Sequence, residues 1–198
     1  MSDLIIYGCG GHARSVAEVA LRNGKERLVF VDSEAKIAET IFGFPVVASF
    51  HDDNASMIVA IGDNHRREAV FARVSPQRCE SIIAGDAYLA REVTLGRGGF
   101  VGHGAYIGPG VVIGVNSILN TRCVIEHETR VGAHCHIAVN ATVAGRCEIG
   151  DFVTLGAGAT VIDNISICSN VYVGAGATVV KNIDSPGLYV GVPARKIK

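Results

Sequence analysis

The chain of 198 residues has no tryptophan, two methionines and 6% aromatic residues, so aliphatic side chains must build its core. Proline is scarce, at five residues. The formal net charge is −1, from 18 Lys and Arg against 19 Asp and Glu. That balance excludes a bulk electrostatic affinity for nucleic acid or an anionic membrane. No run approaches the ~20 apolar residues of a membrane span. Residues 1–8 also lack the basic start of an export signal, so a cytoplasmic location is expected. The six cysteines include no C-x-x-C pair. In a reducing compartment they are expected to be buried thiols, neither disulfides nor zinc ligands.

What is abundant is glycine, 24 residues in a chain that is 48% hydrophobic and 19% charged. From Ala87 to Asn182 the chain divides into 16 hexads without an insertion, from AYLARE and VTLGRG to VYVGAG and ATVVKN. The third position is Leu, Ile or Val in every hexad, and the first is usually small or β-branched. A period of six is neither helical nor a simple alternation. It fits a short strand and a turn repeated three times per coil, with coils stacked into a prism, a solenoid β-helix. Glycine recurs at the fourth position (Gly96, Gly102, Gly108, Gly114, Gly132, Gly150, Gly156, Gly174), where a permissive backbone is the expected reason. Cys123, Cys135 and Cys147 all take first positions two hexads apart, so they fall on three different sides and cannot share one metal.

The first third reads differently. Residues 4–7 (LIIY), 28–31 and 57–61 predict strands, with helices over 13–22 and from about 65 to 74. Residues 81–84 predict a fourth strand leading into the prism. The pattern is a Rossmann-like α/β βαβαβ domain over 1–84, followed by the β-helix over 85–198. Gly8-x-Gly10-x-x-Ala13 fits a dinucleotide fingerprint loosely, with Asp32 placed to meet a ribose or base. Two readings stand: a half-sized nucleotide site, or glycines that merely make a tight βα turn.

The chemistry is expected where Glu126, His127, Glu128, His134 and His136 crowd the hexads CVIEHE, TRVGAH and CHIAVN. A carboxylate beside His127 can fix its tautomer and stabilise its imidazolium, which suits a general base in acyl transfer. His136 lies half a coil away, so both histidines serve one site only if a neighbouring chain supplies one of them, and three flat faces favour a threefold assembly. The intervals of 24, 7 and 2 between His103, His127, His134 and His136 do not match the histidine spacing of zinc-holding β-helix enzymes, so no metal is expected.

Five segments together resemble the hexapeptide-repeat sugar acetyltransferases. They are Tyr7-Gly8-Cys9-Gly10-Gly11-His12, Ile61-Gly62-Asp63-Asn64, the run from Asn120 to Glu128, the run from Gly174 to Asn182, and Tyr189-Val190-Gly191-Val192-Pro193-Ala194-Arg195. That family includes sialic acid O-acetyltransferase and N-acetyltransferases of UDP- or GDP-linked 4-amino-4,6-dideoxy sugars. The resemblance implies left-handed coiling, acetyl-CoA as co-substrate, a homotrimer with active sites between prisms, and a nucleotide-linked amino sugar, UDP the expected carrier. It implies that Gly8, Gly10, Gly11 and His12 lie near the phosphates, with Asp32, Ser33 and Ile61 completing the sugar-nucleotide site. Ser33 stands where the family often has a second acidic residue. His127 would be the base, with Glu128 assisting, and His136 and Asn120 would line the pocket and polarise acetyl or sugar groups. Acetyl-CoA would meet His136, Gly145, Ala157, Ala175 and Arg195, in a tail made basic by Arg195, Lys196 and Lys198. Two rival functions remain at this level, O-acetylation of a sugar hydroxyl and a non-catalytic trimeric nucleotide-sugar-binding scaffold.

Overall fold

The computed structural model describes residues 4–51, 55–74 and 76–197; Lys198, counted in the basic tail, lies outside the described residues. The first strand, β1 (Leu4–Tyr7), runs into α1 (Gly11–Arg22), and β2 (Leu28–Val31) follows. A hairpin of β3 (Thr40–Ile41) and β4 (Phe44–Val47) comes next, then β5 (Ser56–Val59), α2 (Asn64–Phe71) and β6 (Ile82–Ile83). The domain's sheet has the order β3-β4-β2-β1-β5, parallel except for the hairpin. Its central strands are fully apolar because helices and connecting chain cover both faces. The hairpin is absent from the sequence expectation. Its two-residue turn, Phe42-Gly43, has positive φ at both positions (53° and 82°), the backbone that hairpin turns favour and phenylalanine rarely signals.

The prism follows the hexads residue for residue. Each hexad contributes a strand on its second and third positions, from Tyr88–Leu89 to Thr178–Val179. Partners lie 18 residues apart in parallel register, as in Val124↔Thr142 and His136↔Thr154. Three sheets result, of eight, six and five strands, in a left-handed parallel β-helix. β6 belongs to the eight-stranded sheet, beside Phe100–Val101.

First and third positions both point inward, and Val101, Cys123, Ile125, Cys135, Ile137 and Cys147 are each 0% exposed. All six cysteines are free thiols. Polar first positions are satisfied by a repeated device: Ser117 Oγ donates to the Gly132 carbonyl at 3.1 Å and accepts from Cys135 N. Thr129 Oγ1 does the same with the Ala144 carbonyl and Cys147 N. Each hydroxyl thus bridges successive coils and finds both its partners inside the core.

The role of the fourth-position glycines differs from expectation. None has positive φ; that backbone falls on sixth positions such as Glu128, His134, Asn140 and Gly158. A Cβ on Gly96, Gly102 or Gly156 would instead lie 2.5–2.8 Å from the backbone nitrogen of the next coil. Close stacking of the corners, not φ, is what demands glycine there.

Candidate active site

Three groups of side chains have chemistry to offer. The first surrounds the β1–α1 turn. Gly8 has φ 111°, and a Cβ there would meet the Ala60 carbonyl oxygen at 2.9 Å, so glycine is required structurally. Gly10 and Gly11, at the start of α1, are exposed and have nothing within 4 Å of where a Cβ would stand. Asp32 accepts from Cys9 N at 3.2 Å and Glu34 N at 3.0 Å, and these backbone donors hold its carboxyl below the usual range. Burial, helped by that carboxylate, pushes the Cys9 thiol up to about 11. Tyr7, Gly8, Asp32, Ser33, Ile61 and Arg66 line a cleft of about 480 Å³.

The second group lies where the domain meets the prism. His12 packs edge-on against Phe100 at 5.0 Å and lies 6.3 Å from His136, ring centre to ring centre. Its Nε2 is buried with no hydrogen-bond partner. Burial, then the neighbouring His136 and Arg67, lowers His12 to about 3; burial, then Arg67, lowers His136 to about 4. Both rings are therefore neutral near pH 7. The tautomer of His136 follows from its partners. Nδ1 lies 3.3 Å from the Gly62 carbonyl, which can only accept, so Nδ1 carries the proton. Nε2 lies 3.4 Å from Asn120 Nδ2, and the amide's orientation is set by Thr121 N, which donates to Asn120 Oδ1 at 2.8 Å. Asn120 is thus the donor and His136 Nε2 the acceptor.

The third group is His127 with Glu128 and Gly145. His127 sits in the turn between Val124–Ile125 of the six-stranded sheet and Arg130–Val131 of the five-stranded one. Its Nδ1 donates to Glu128 Oε2 at 3.2 Å, which leaves the Nε2 lone pair free to accept a proton. Gly145 lies one coil on at the same corner, where Arg146 N donates to the His127 carbonyl. A Cβ on Gly145 would fall 2.5 Å from Cε1 and 2.7 Å from Nε2 of His127, so the missing side chain is the seat of the imidazole.

The structure unites His12, His136 and Asn120 but puts His127 elsewhere. Asn120, Ala157 and Ala175 occupy turns at the corner between the eight- and six-stranded sheets, and Gly176 N donates to the Ala157 carbonyl. His127 and Gly145 occupy the far corner of the six-stranded sheet. The corner with Ala157 and Ala175 is open: both alanines are exposed, and a Cβ on Gly158 or Gly176 would meet nothing within 4 Å. Ala157 also borders a cleft of about 350 Å³ with His136, Thr154 and Tyr172. The exposed tail folds back as an antiparallel pair, Val190↔Arg195, with Arg195 bonded to the Ala194 carbonyl and Lys196 to Ser185. A basic end with no carboxylate partner among the described residues, beside a run of small open corners, fits a long, polyanionic thioester carrier. Among the described residues no group of three or more His, Cys, Asp or Glu is placed to hold a metal, and no helix is long and apolar enough to cross a membrane.

Sequence reasoning missed Arg67, which is 0% exposed, and the ring stack His65–Phe152–His134, with centroids 4.7 and 5.0 Å apart. His65 and Arg67, in α2, read as ordinary charged surface, because the prism that buries them starts more than ten residues later.

Residues 3–74 match the family model of the PglD N-terminal domain, and residues 146–181 match that of the bacterial transferase hexapeptide, six repeats. A mutant of perosamine N-acetyltransferase from Caulobacter crescentus, in complex with CoA and GDP-perosamine, is 32% identical, with a TM-score of 0.91 over 100% of this chain and 98% of that one. The acetyltransferase domain of PglB from Neisseria gonorrhoeae FA1090, in complex with acetyl coenzyme A, is 27% identical, with a TM-score of 0.92 over 98% of each chain. WeeI from Acinetobacter baumannii AYE, at 22% identity and a TM-score of 0.92 over 100% of each chain, shares the fold.

Proposed function

This chain belongs to the hexapeptide-repeat sugar acetyltransferases, and we propose that it N-acetylates the amine of a nucleotide-linked 4-amino-4,6-dideoxy sugar, with UDP the carrier and His127 the general base. The observation that carries the reading is the His127–Glu128 pair seated on Gly145, with Nε2 free. Acetyl-CoA supplies an acetyl group activated as a thioester. His127 Nε2 takes the proton from the sugar amine as the N–C bond forms and the C–S bond breaks. The same proton then passes to the departing thiolate, so charge and protons balance. Glu128 holds Nδ1–H throughout and stabilises the transient imidazolium.

Residues 1–84 hold the nucleotide sugar and residues 85–198 the acetyl donor. The open Gly10-Gly11 turn and His12 take the phosphates, and the cleft of Asp32, Ser33 and Ile61 takes the nucleoside. Within the acceptor pocket the hydrogen-bond donor is Asn120, one of whose amide N–H groups is held by His136 Nε2 while the second faces the acetyl or sugar group. Ala157, Ala175 and Arg195 of one copy contact CoA, and Gly145, at the other corner, reaches it from the neighbouring copy. The separation of the His127 corner from the His136 face supports a homotrimer in which one copy's base reaches its neighbour's pocket. The setting is cytoplasmic glycan synthesis.

The test is thiol release from acetyl-CoA with UDP-, GDP- and CMP-linked amino sugars, comparing wild type with His127→Ala. Turnover with a UDP-amino sugar, reduced roughly 10²–10⁴-fold in the variant, supports the assignment. Turnover with the GDP sugar alone would replace the carrier, turnover with a hydroxyl acceptor alone would replace N- by O-acetylation, and silence across the panel would sink the reading in favour of a binding scaffold.

A further inference from the structure

Arg67 lies in α2 with its side chain wholly buried between the N-terminal domain and the prism. Its Nε donates to the Asn116 carbonyl at 2.9 Å. Nη1 donates to the carbonyls of Ile61 at 3.0 Å and Gly62 at 3.1 Å. Nη2 donates to Asn64 Oδ1 at 2.7 Å and to the carbonyls of His134 at 2.8 Å and Cys135 at 3.1 Å. Every acceptor is neutral. A buried cation with no carboxylate among its hydrogen-bond partners is a costly way to join two domains, and burial lowers this guanidinium to about 10. What it touches suggests why it is there.

The Gly62 carbonyl accepts from both Arg67 Nη1 and His136 Nδ1. The guanidinium also holds the backbone of His134 and Cys135, immediately before His136. On its other side it holds the Asn116 carbonyl, and the Asn116 side-chain amide lies 3.0 Å from His134 Nδ1. One guanidinium thus stands between His134 and His136 and fixes the carbonyls around both.

We propose that Arg67 is a positioning residue for acetyl transfer: by pinning the Gly62 carbonyl and residues 134–135, it holds His136 with its proton on Nδ1, so that Nε2 accepts from Asn120 and aims that amide into the pocket. The inference rests on His136 lining the acceptor pocket, but its central claim is read without any substrate. Arginine suits the task because its rigid fork reaches several carbonyls at once, which a lysine ammonium cannot do.

The experiment is two-bond ¹H–¹⁵N spectroscopy of the full chain with ¹⁵N-labelled histidine, at neutral pH, assigned with His136→Asn. Wild type should show His136 protonated at Nδ1 and bare at Nε2. In Arg67→Met the two nitrogens should move toward averaged shifts, and Arg67→Lys should lie between. Asn64→Ala removes a partner of Arg67 without touching the Gly62 carbonyl, so it should lower stability and leave the His136 spectrum unchanged. With substrate, Arg67→Lys should lower kcat about 10²-fold while KM for acetyl-CoA changes little, the cost of a pocket group displaced by about 1 Å. A wild-type His136 protonated at Nε2, or a folded Arg67→Lys with the wild-type spectrum and kcat, overturns the proposal. If Arg67→Met does not fold, Arg67→Lys against Asn64→Ala decides it. If no nucleotide sugar is acetylated but the spectra shift as described, the function assigned above fails and the Arg67–His136 linkage stands.

Discussion

The imidazole of His127 occupies the space that a side chain on Gly145 would fill, with Cε1 2.5 Å and Nε2 2.7 Å from where a Cβ would stand. A residue 18 positions away, one coil along the prism, thereby sets the aim of the proposed base. Glu128 holds the ring at Nδ1 and Gly145 gives it a flat seat, so orientation comes from two directions.

Gly145→Ala should therefore impair catalysis more than folding. The methyl must push the ring aside by about 1 Å, which is expected to lower kcat roughly 10²-fold. Thermal unfolding should change little, because the half-exposed ring can swing outward. Steady-state kinetics beside a melting curve separates the two; an unchanged kcat would show that the seat is irrelevant to the chemistry.

The glycines of the β1–α1 turn should divide into two classes. Gly8→Ala forces a side chain into a left-handed backbone against the Ala60 carbonyl, and roughly 1–3 kcal/mol of stability should be lost. Gly10→Ala and Gly11→Ala have open space and should unfold like wild type. If phosphates sit there, both should raise KM for the nucleotide sugar and spare that for acetyl-CoA. Urea unfolding and substrate titrations give the two readouts.

Stability should fall on mild acidification. His12 and His136 titrate at about 3 and about 4 in the fold, while an unfolded histidine titrates near 6.5. Above roughly pH 6.5 both states are neutral and these groups contribute their full stabilisation. As pH drops below that, the unfolded chain takes up protons that the folded chain refuses, so stability declines progressively toward pH 4. Urea midpoints measured at pH 7.5, 6 and 5 should trace this decline, and His136→Asn should flatten it. A variant with the wild-type slope would remove His136 from the account.

Phe152 stacks between His65 of α2 and His134 of the prism. Phe152→Leu keeps an apolar side chain and deletes both stacks, each worth about 0.5–1.5 kcal/mol. A loss of roughly 1–3 kcal/mol in urea unfolding is expected, and a loss near zero would mean that the stack adds nothing to the contacts Arg67 already makes across the same junction.

Much of this molecule is legible in the chain alone because the hexad is local. Each strand occupies the second and third positions of its six residues, and inward alternation follows from a side-chain period that no neighbour needs to enforce. β1, α1 and β2 are readable for the same reason, as are the His127–Glu128 pair and the glycines at the helix start. The β3–β4 hairpin escapes because Phe42 adopts a backbone that its side chain does not announce. The true reason for the fourth-position glycines escapes too, since it lies in the coil 18 residues on. Arg67 looked like surface charge, and only packing of α2 against the prism strips its water and supplies six neutral acceptors. Local periodicity and turn chemistry determined the β-helix and the βα turn, and the carboxylates flanking His127 marked the candidate base. Burial, tautomer and the seat of that base depend on contacts between residues far apart in the chain, and those only the tertiary structure decided.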